Sequence, residues 1–250
     1  MSEERWNLEA ARISQLPGED AFYIADFVTE AEEQSLLQKI TSAPLPIWKH
    51  LSHRRLQTYP SPLTNNNTLL SSPLPSWLVS PIITPHFDRL GLFAESPHKA
   101  PNHVLVNEYT PGQGIMPHED GAAYYPLVAT VSLGGDIVLD LYEKNNDSGD
   151  MTALVVEEGG GRQPKYRILQ ERRSLLVTRN SIYRDYLHGI AERDRDEGLG
   201  AESICNWDLL REPRLYAGGV YMRETRISLT YRDVLKVAKL GNTMKFLNKR

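Results

Sequence analysis

The sequence predicts an α+β chain that is mainly β, with N-terminal helices packed on one sheet of an antiparallel sandwich or barrel. Two observations predict it. The first 100 residues carry one well-capped helix and a helical stretch broken by prolines. The remainder repeats short apolar–polar alternations of period two. Helices early and many short strands late point away from alternating βα units. Residues 1–100 are expected to hold a strand, helices and a substrate-recognition lid, and residues 101–250 the β core, all in one integrated domain.

Residues 21–27 are aromatic and branched and read as a strand. Thr29 follows as a helix N-cap, and Glu32 three residues later completes a capping box. Leu36, Leu37 and Ile40 give that helix an apolar stripe. Residues 44–75 are crowded with Pro, Ser, Asn and Thr, which argues against long regular elements. Residues 77–93 read as helical, interrupted at Pro81 and Pro85. Strands are expected over 103–109, 127–133, 136–142, 173–178 and 226–232. Gly134-Gly135 reads as a hairpin turn between the second and third of these. Residues 143–167, with their glycine triplet, and 191–215, opening on a charge run, read as exposed insertions.

Composition excludes more than it selects. A hydrophobic share of 40% and a charged share of 24% are ordinary for a globular protein. The net charge of −4 gives no overall attraction to nucleic acid, so any such contact needs a local basic patch. Cys205 is the one cysteine, which rules out an intrachain disulfide. No apolar leader and no run of about 18 apolar residues is present, so neither secretion nor a membrane span is expected. The expected compartment is the cytosol or nucleus.

The chemistry concentrates in three places. His118-Glu-Asp120 places an imidazole and a carboxylate two residues apart. In extended chain such residues share a face, about 6–7 Å apart, and can converge on one ion. The same spacing occurs in His86-Phe-Asp88. That stretch reads as helical, where residues two apart point roughly 200° from each other, so it is rejected as a metal site. His188, in Leu187-His-Gly189, is the third candidate ligand. Two imidazoles and a carboxylate form the facial triad that holds Fe(II) with coordination positions left open. The plainer alternatives are a loop hydrogen bond for His118 and Asp120 and an ordinary core histidine for His188.

The third place is the strand 226–232. Arg226, Ser228, Thr230 and Arg232 fall on one face, and Ile227, Leu229 and Tyr231 on the other. If the apolar face packs under the helices, the polar face lines a wet cavity; otherwise this is an amphipathic edge strand. A guanidinium inside a barrel needs an anion. A keto diacid fits, with one end on the iron and the other on Arg226. Asn107 and Tyr109 share a strand face by parity and supply polar groups for the same molecule.

Asn107-x-Tyr109, His118-x-Asp120, His188 and Arg226-x5-Arg232, in this order, resemble the AlkB family of Fe(II)/2-oxoglutarate dioxygenases. The resemblance covers nearly the whole chain. It implies a double-stranded β-helix (jelly roll) core. It implies His118, Asp120 and His188 as iron ligands, and Asn107, Tyr109, Arg226, Ser228 and Arg232 as the 2-oxoglutarate site. Six residues of extended chain span about 20 Å, so Arg232 would need a bulge or strong twist to share that molecule with Arg226. The implied cofactors are Fe(II), 2-oxoglutarate and O2, and the implied reaction is hydroxylation, which on an N-methyl group amounts to demethylation. The family's lids lie N-terminal to the core. Here Trp48, Lys49, Arg54, Arg55 and Tyr59 mix cations with aromatics and are the candidate contacts to single-stranded nucleic acid, RNA or DNA. In one respect the chain departs from the family's repair-type members: Ala122 stands where they carry a second, base-facing carboxylate. The competing expectations are a protein-modifying oxygenase and a nucleic-acid-binding module with little turnover.

Overall fold

A computed structural model describes residues 7–144 and 162–239. Its strands are β1 (Ala21–Ile24), β2 (Lys49–Leu51), β3 (Arg54–Tyr59), β4 (Thr68–Leu70), β5 (His103–Tyr109), β6 (Ile115–His118), β7 (Leu127–Leu133) and β8 (Ile137–Glu143). They continue with β9 (Tyr166–Gln170), β10 (Leu175–Arg179), β11 (Tyr186–Ile190), β12 (Arg195–Glu197), β13 (Val220–Met222), β14 (Arg226–Arg232) and β15 (Lys236–Ala238). The helices are α1 (Glu30–Thr41) and the short α2 (Ser76–Val79), α3 (Asp88–Leu90) and α4 (Asn180–Asp185).

Two sheets form the body. The larger runs β1-β10-β7-β14-β5-β3-β2, and the smaller runs β6-β11-β8-β9. All neighbouring pairs in both are antiparallel. Successive strands from β5 to β8 alternate between the sheets in the manner of a jelly roll.

Parity decides which face holds the core. Ile227, Leu229 and Tyr231 of β14 join Val104, Val106, Val131 and Val177 in one buried cluster with Leu36 and Ile40 of α1. The larger sheet thus buries its outer face under the N-terminal helices and turns the alternate residues inward. The α1 capping box forms in full: Glu32 N donates to Thr29 Oγ1, and Thr29 N donates to Glu32 Oε2. A cap of this kind contributes about 1 kcal/mol.

One expectation needs correction. Gly134-Gly135 does not close a hairpin, because β7 and β8 lie in different sheets and the chain crosses between them there. Gly134 has φ +82°, and a Cβ on it would stand 2.6 Å from the Thr225 carbonyl oxygen, so the crossing requires glycine. Residues 191–215, expected as an exposed insertion, are anchored to the body at a few buried positions. Asp196, Ile204 and Asn206 are buried, and Arg223 closes a two-point salt bridge on Asp196 at 2.7 and 2.8 Å. Asn206 accepts from Leu169 N and donates to Leu169 O, serving as a strand partner on the open edge of β9. Of the other predicted insertion, residues 145–161 lie outside the described residues. Finally, the predicted lid over 48–59 includes a hairpin, β2–β3, that extends the larger sheet through β3–β5 pairing.

Candidate active site

The inward faces of the two sheets enclose a cavity of about 430 Å³. His118, Asp120, His188, Asn107, Tyr109, Arg226, Ser228 and Arg232 all line it, and so does Arg54. Polar residues on alternate positions of β5 and β14 therefore do face a wet interior, as the strand pattern predicted.

The two histidines are cross-strand partners: His188 of β11 stands opposite His118 of β6 in the antiparallel ladder. Their ring centroids are 4.3 Å apart. Asp120 Oδ2 lies 3.9 Å from His188 Nε2. The His118 Nδ1–H donates to the Met116 carbonyl at 2.9 Å, because a carbonyl can only accept. That bond leaves Nε2 with its lone pair toward the cavity, the usual way a ligating imidazole is oriented. Burial drives the His188 pKa down from 6.5 to about 4, and the His118 and Arg232 charges act the same way against the pull of Asp120. His188 is therefore neutral and available as a donor at neutral pH. On Asp120, burial alone would raise the pKa, but Arg232, His188 and His118 together outweigh it and hold the carboxyl below its ordinary value. Oδ1 of Asp120 accepts from Arg232. With the carboxylate turned that way, no three His, Cys, Asp or Glu side chains among the described residues close on one point at ligand distances. The donor set still fits Fe(II): two imidazoles, one ionised carboxylate, and open cavity on the remaining side.

Some 226–232 neighbours were not anticipated. Arg226 is 2% exposed and donates from one terminal nitrogen to Ser132 Oγ at 2.8 Å and Gln170 Oε1 at 3.1 Å. Its Nε has no hydrogen-bond partner. Burial lowers its pKa from 12.5 to about 10. Among the described residues no carboxylate pairs with it. A charged group buried this deeply and only half satisfied is matched by an incoming anion. Ser132 and Gln170 escaped sequence reasoning because single polar residues on separate strands form no spaced motif.

Arg232 is not at the Arg226 end. Its guanidinium pairs with Asp120 and lies 4.4 Å above the Tyr124 ring. Its guanidinium therefore stands at the metal end of the same cavity, beside the carboxylate of the triad.

The five lid candidates separate sharply. Arg54 lines the cavity and donates from Nε to Asn107 Oδ1 at 3.2 Å. Arg55 instead stacks on Trp48 at 4.1 Å and takes a two-point salt bridge to Glu108 at 2.5 and 2.8 Å. Trp48 is buried beneath it. Tyr59 donates to Gln57 and packs edge-on against Trp77. These three are engaged in packing, Trp48 fully and Arg55 and Tyr59 in part. Lys49 is exposed on β2. The rejected pair His86-Phe-Asp88 is also accounted for, with His86 Nε2 3.1 Å from Glu32.

Residues 20–232 match the family model for the 2OG-Fe(II) oxygenase superfamily. The chain is 40% identical over 218 residues to the probable RNA/DNA demethylase ALKBH6 of Danio rerio, covering 87% of each. It is 29% identical over 217 residues to protein L905 of Acanthamoeba polyphaga mimivirus, covering 85% of this chain and 84% of that one. Among solved structures, that of OsALKBH1 shares the fold with a TM-score of 0.50 at 12% identity, over 86% of this chain and 96% of the other. The chain belongs to the 2OG-Fe(II) oxygenase superfamily, among its AlkB homologues, and is a dioxygenase that works with Fe(II), 2-oxoglutarate and O2.

Proposed function

We propose that this dioxygenase hydroxylates, and so demethylates, a modified nucleic acid, with RNA as the favoured substrate, and that His118, Asp120 and His188 hold its iron. The observation that carries the site reading is Arg226: a buried guanidinium without a carboxylate, opening on the same cavity as the two imidazoles and Asp120. The far carboxylate of 2-oxoglutarate fits it, with the Arg226 Nε–H as the free donor. Ser228, Asn107 and Tyr109 supply polar groups along the same face. Nucleic acid is supported by the name of the zebrafish relative and by Arg54 at the cavity wall.

Bound iron supplies O2 activation, coupled to decarboxylation of 2-oxoglutarate to succinate and CO2 and to insertion of one oxygen atom into a C–H bond. The chain's residues prepare that chemistry. Burial keeps His188 neutral, so it needs to lose no proton before ligation, and the bond to Met116 O fixes the His118 ring. Arg232 keeps Asp120 ionised. Leu139, Leu141, Leu176 and Ile182 form apolar wall and keep water from the reacting centre. On an N-methyl group the hydroxylated carbon leaves as formaldehyde, and the nitrogen regains its proton.

The test is succinate and formaldehyde release from methylated RNA, methylated DNA and peptides, with Fe(II) and 2-oxoglutarate. Stoichiometric formaldehyde from RNA is expected. Release from peptides only would overturn the nucleic-acid reading. Arg54→Ala is expected to weaken oligonucleotide binding and flatten its salt dependence by about one phosphate contact.

A further inference from the structure

Arg226 stands in a frame of two uncharged side chains. Gln170 is the last residue of β9, at the edge of the smaller sheet, and Ser132 lies on β7 of the larger one. One Arg226 terminal nitrogen donates to Ser132 Oγ at 2.8 Å and to Gln170 Oε1 at 3.1 Å. Ser132 Oγ donates to the same Gln170 oxygen at 3.4 Å. A guanidinium can only donate, so the amide turns its oxygen toward it. All three residues are buried, and Gln170 and Arg226 line the cavity. The Gln170 bond therefore joins the two sheets at the Arg226 end of the cavity.

The main chain is fixed on both sides of Gln170. Leu169 exchanges two hydrogen bonds with the Asn206 amide, at 2.9 and 2.8 Å. Glu171 N donates to the Tyr23 hydroxyl at 3.0 Å, and its carbonyl accepts from Ser174 Oγ at 2.6 Å. So anchored, Gln170 sets where the guanidinium stands rather than following it. The acidic side chain whose charge reaches Arg226 is Asp136, and it is engaged elsewhere, by Arg172 N and the Tyr216 hydroxyl. A glutamate at 170 would have the same length and would close a charge-assisted pair within the protein. The amide gives direction without a counter-charge, so the buried cation is left to be matched by a ligand.

We propose that Gln170 is a positioning residue for the co-substrate: its neutral amide, backed by Ser132, aims the Arg226 guanidinium without neutralising it and so reserves that charge for the far carboxylate of 2-oxoglutarate. The inference rests on the reading of Arg226 as the partner of that carboxylate, and adds the residue that keeps it available.

Gln170→Glu, Gln170→Leu and Arg226→Met test it, each titrated anaerobically with 2-oxoglutarate in the presence of Fe(II) and melted with neither present. Gln170→Glu is expected to weaken 2-oxoglutarate binding by at least ~100-fold, because its carboxylate both pairs with Arg226 and repels that of the ligand. The same variant, free of ligand, is expected to melt at or above the wild-type temperature. Gln170→Leu is expected to weaken binding roughly 3–10-fold, the scale of one lost hydrogen bond, and to melt below wild type. A purely structural glutamine would cost stability in both variants and leave 2-oxoglutarate affinity unchanged, and that pattern overturns the inference. Should Gln170→Glu fail to fold, wild-type affinity in Gln170→Leu overturns it equally. Weakened binding in Arg226→Met with wild-type affinity in Gln170→Glu removes this inference and leaves the reading of Arg226 standing. Wild-type affinity in Arg226→Met overturns both.

Discussion

His188 stands directly opposite His118 across the β6–β11 ladder, with ring centroids 4.3 Å apart. Seventy residues of chain separate them in sequence, and the antiparallel register alone brings them together. Each ring is fixed differently: His118 by its Nδ1 bond to Met116 O, His188 by burial. Replacing either with Ala removes a donor, so the loss should exceed the ~10–100-fold that outer-shell partners cost. Fe(II) titration by calorimetry or absorbance should show binding weakened beyond that range in both variants. Comparable Fe(II) affinity in either would remove that residue from the ligand set.

Arg226 gives opposite expectations for the free and the bound protein. An unpaired buried guanidinium costs stability, so Arg226→Met should leave the ligand-free protein as stable as wild type or more so. The same change removes a charged donor from the co-substrate. Hydrogen bonds to charged groups contribute about 1.5–3 kcal/mol, so KM for 2-oxoglutarate should rise roughly 10–150-fold. Thermal melts with and without 2-oxoglutarate read both effects at once. A large drop in the ligand-free melting temperature would show that Ser132 and Gln170 already satisfy the arginine.

Much of this was legible in the chain itself. The polar alternation of 226–232 placed Arg226 inside, and Thr29 with Glu32 announced the start of α1. These are local signals, carried by residues within one or two turns or along one strand. What stayed hidden depends on distant pairing. Gly134-Gly135 looks like a hairpin because the glycines report a tight turn but not which sheet the next strand joins. Trp48 and Arg55 look like a binding surface until Glu108, 53 residues further along the chain, claims the guanidinium. Asn206 sits in a stretch whose charges suggest solvent, yet its amide pairs with the Leu169 main chain.

Gly114 ties local backbone to the metal site. A Cβ there would lie 2.2 Å from the Ile190 carbonyl oxygen and 3.0 Å from the Ala191 carbonyl carbon. Both are main chain at the end of β11, so relief requires β6 and β11 to separate. Gly114→Ala should cost about 1–3 kcal/mol in urea unfolding and also weaken Fe(II) binding by disturbing the His118–His188 register. Gly112 in the same turn has φ +85° and open space around its Cβ position. Gly112→Ala should cost only about 1–2 kcal/mol of backbone strain and leave Fe(II) affinity intact. Equal metal affinity in the two variants would separate the turn from the site.

Acid stability follows from two histidines, the buried His103 and the half-buried His188. Burial lowers the pKa of His103 and of His188 from 6.5 to about 4. Between those values the unfolded chain binds protons that the folded chain does not, so stability falls as pH falls. The metal-free protein should therefore keep its full contribution from these rings above pH 6.5 and lose it progressively toward pH 4. Each histidine adds a slope of about 1.4 kcal/mol per pH unit inside that window. Asp120, held below its ordinary value, withdraws its own contribution only at lower pH, so it does not mask the effect. Asp136, Asp140 and Glu171, whose pKa values burial raises, take up protons in the folded state and act in the opposite direction. The histidine effect is therefore read as the difference between His103→Leu and wild type in urea midpoints from about pH 7.5 to 4.5: the variant should lose less stability toward acid, and identical pH profiles would mean that water reaches the His103 ring.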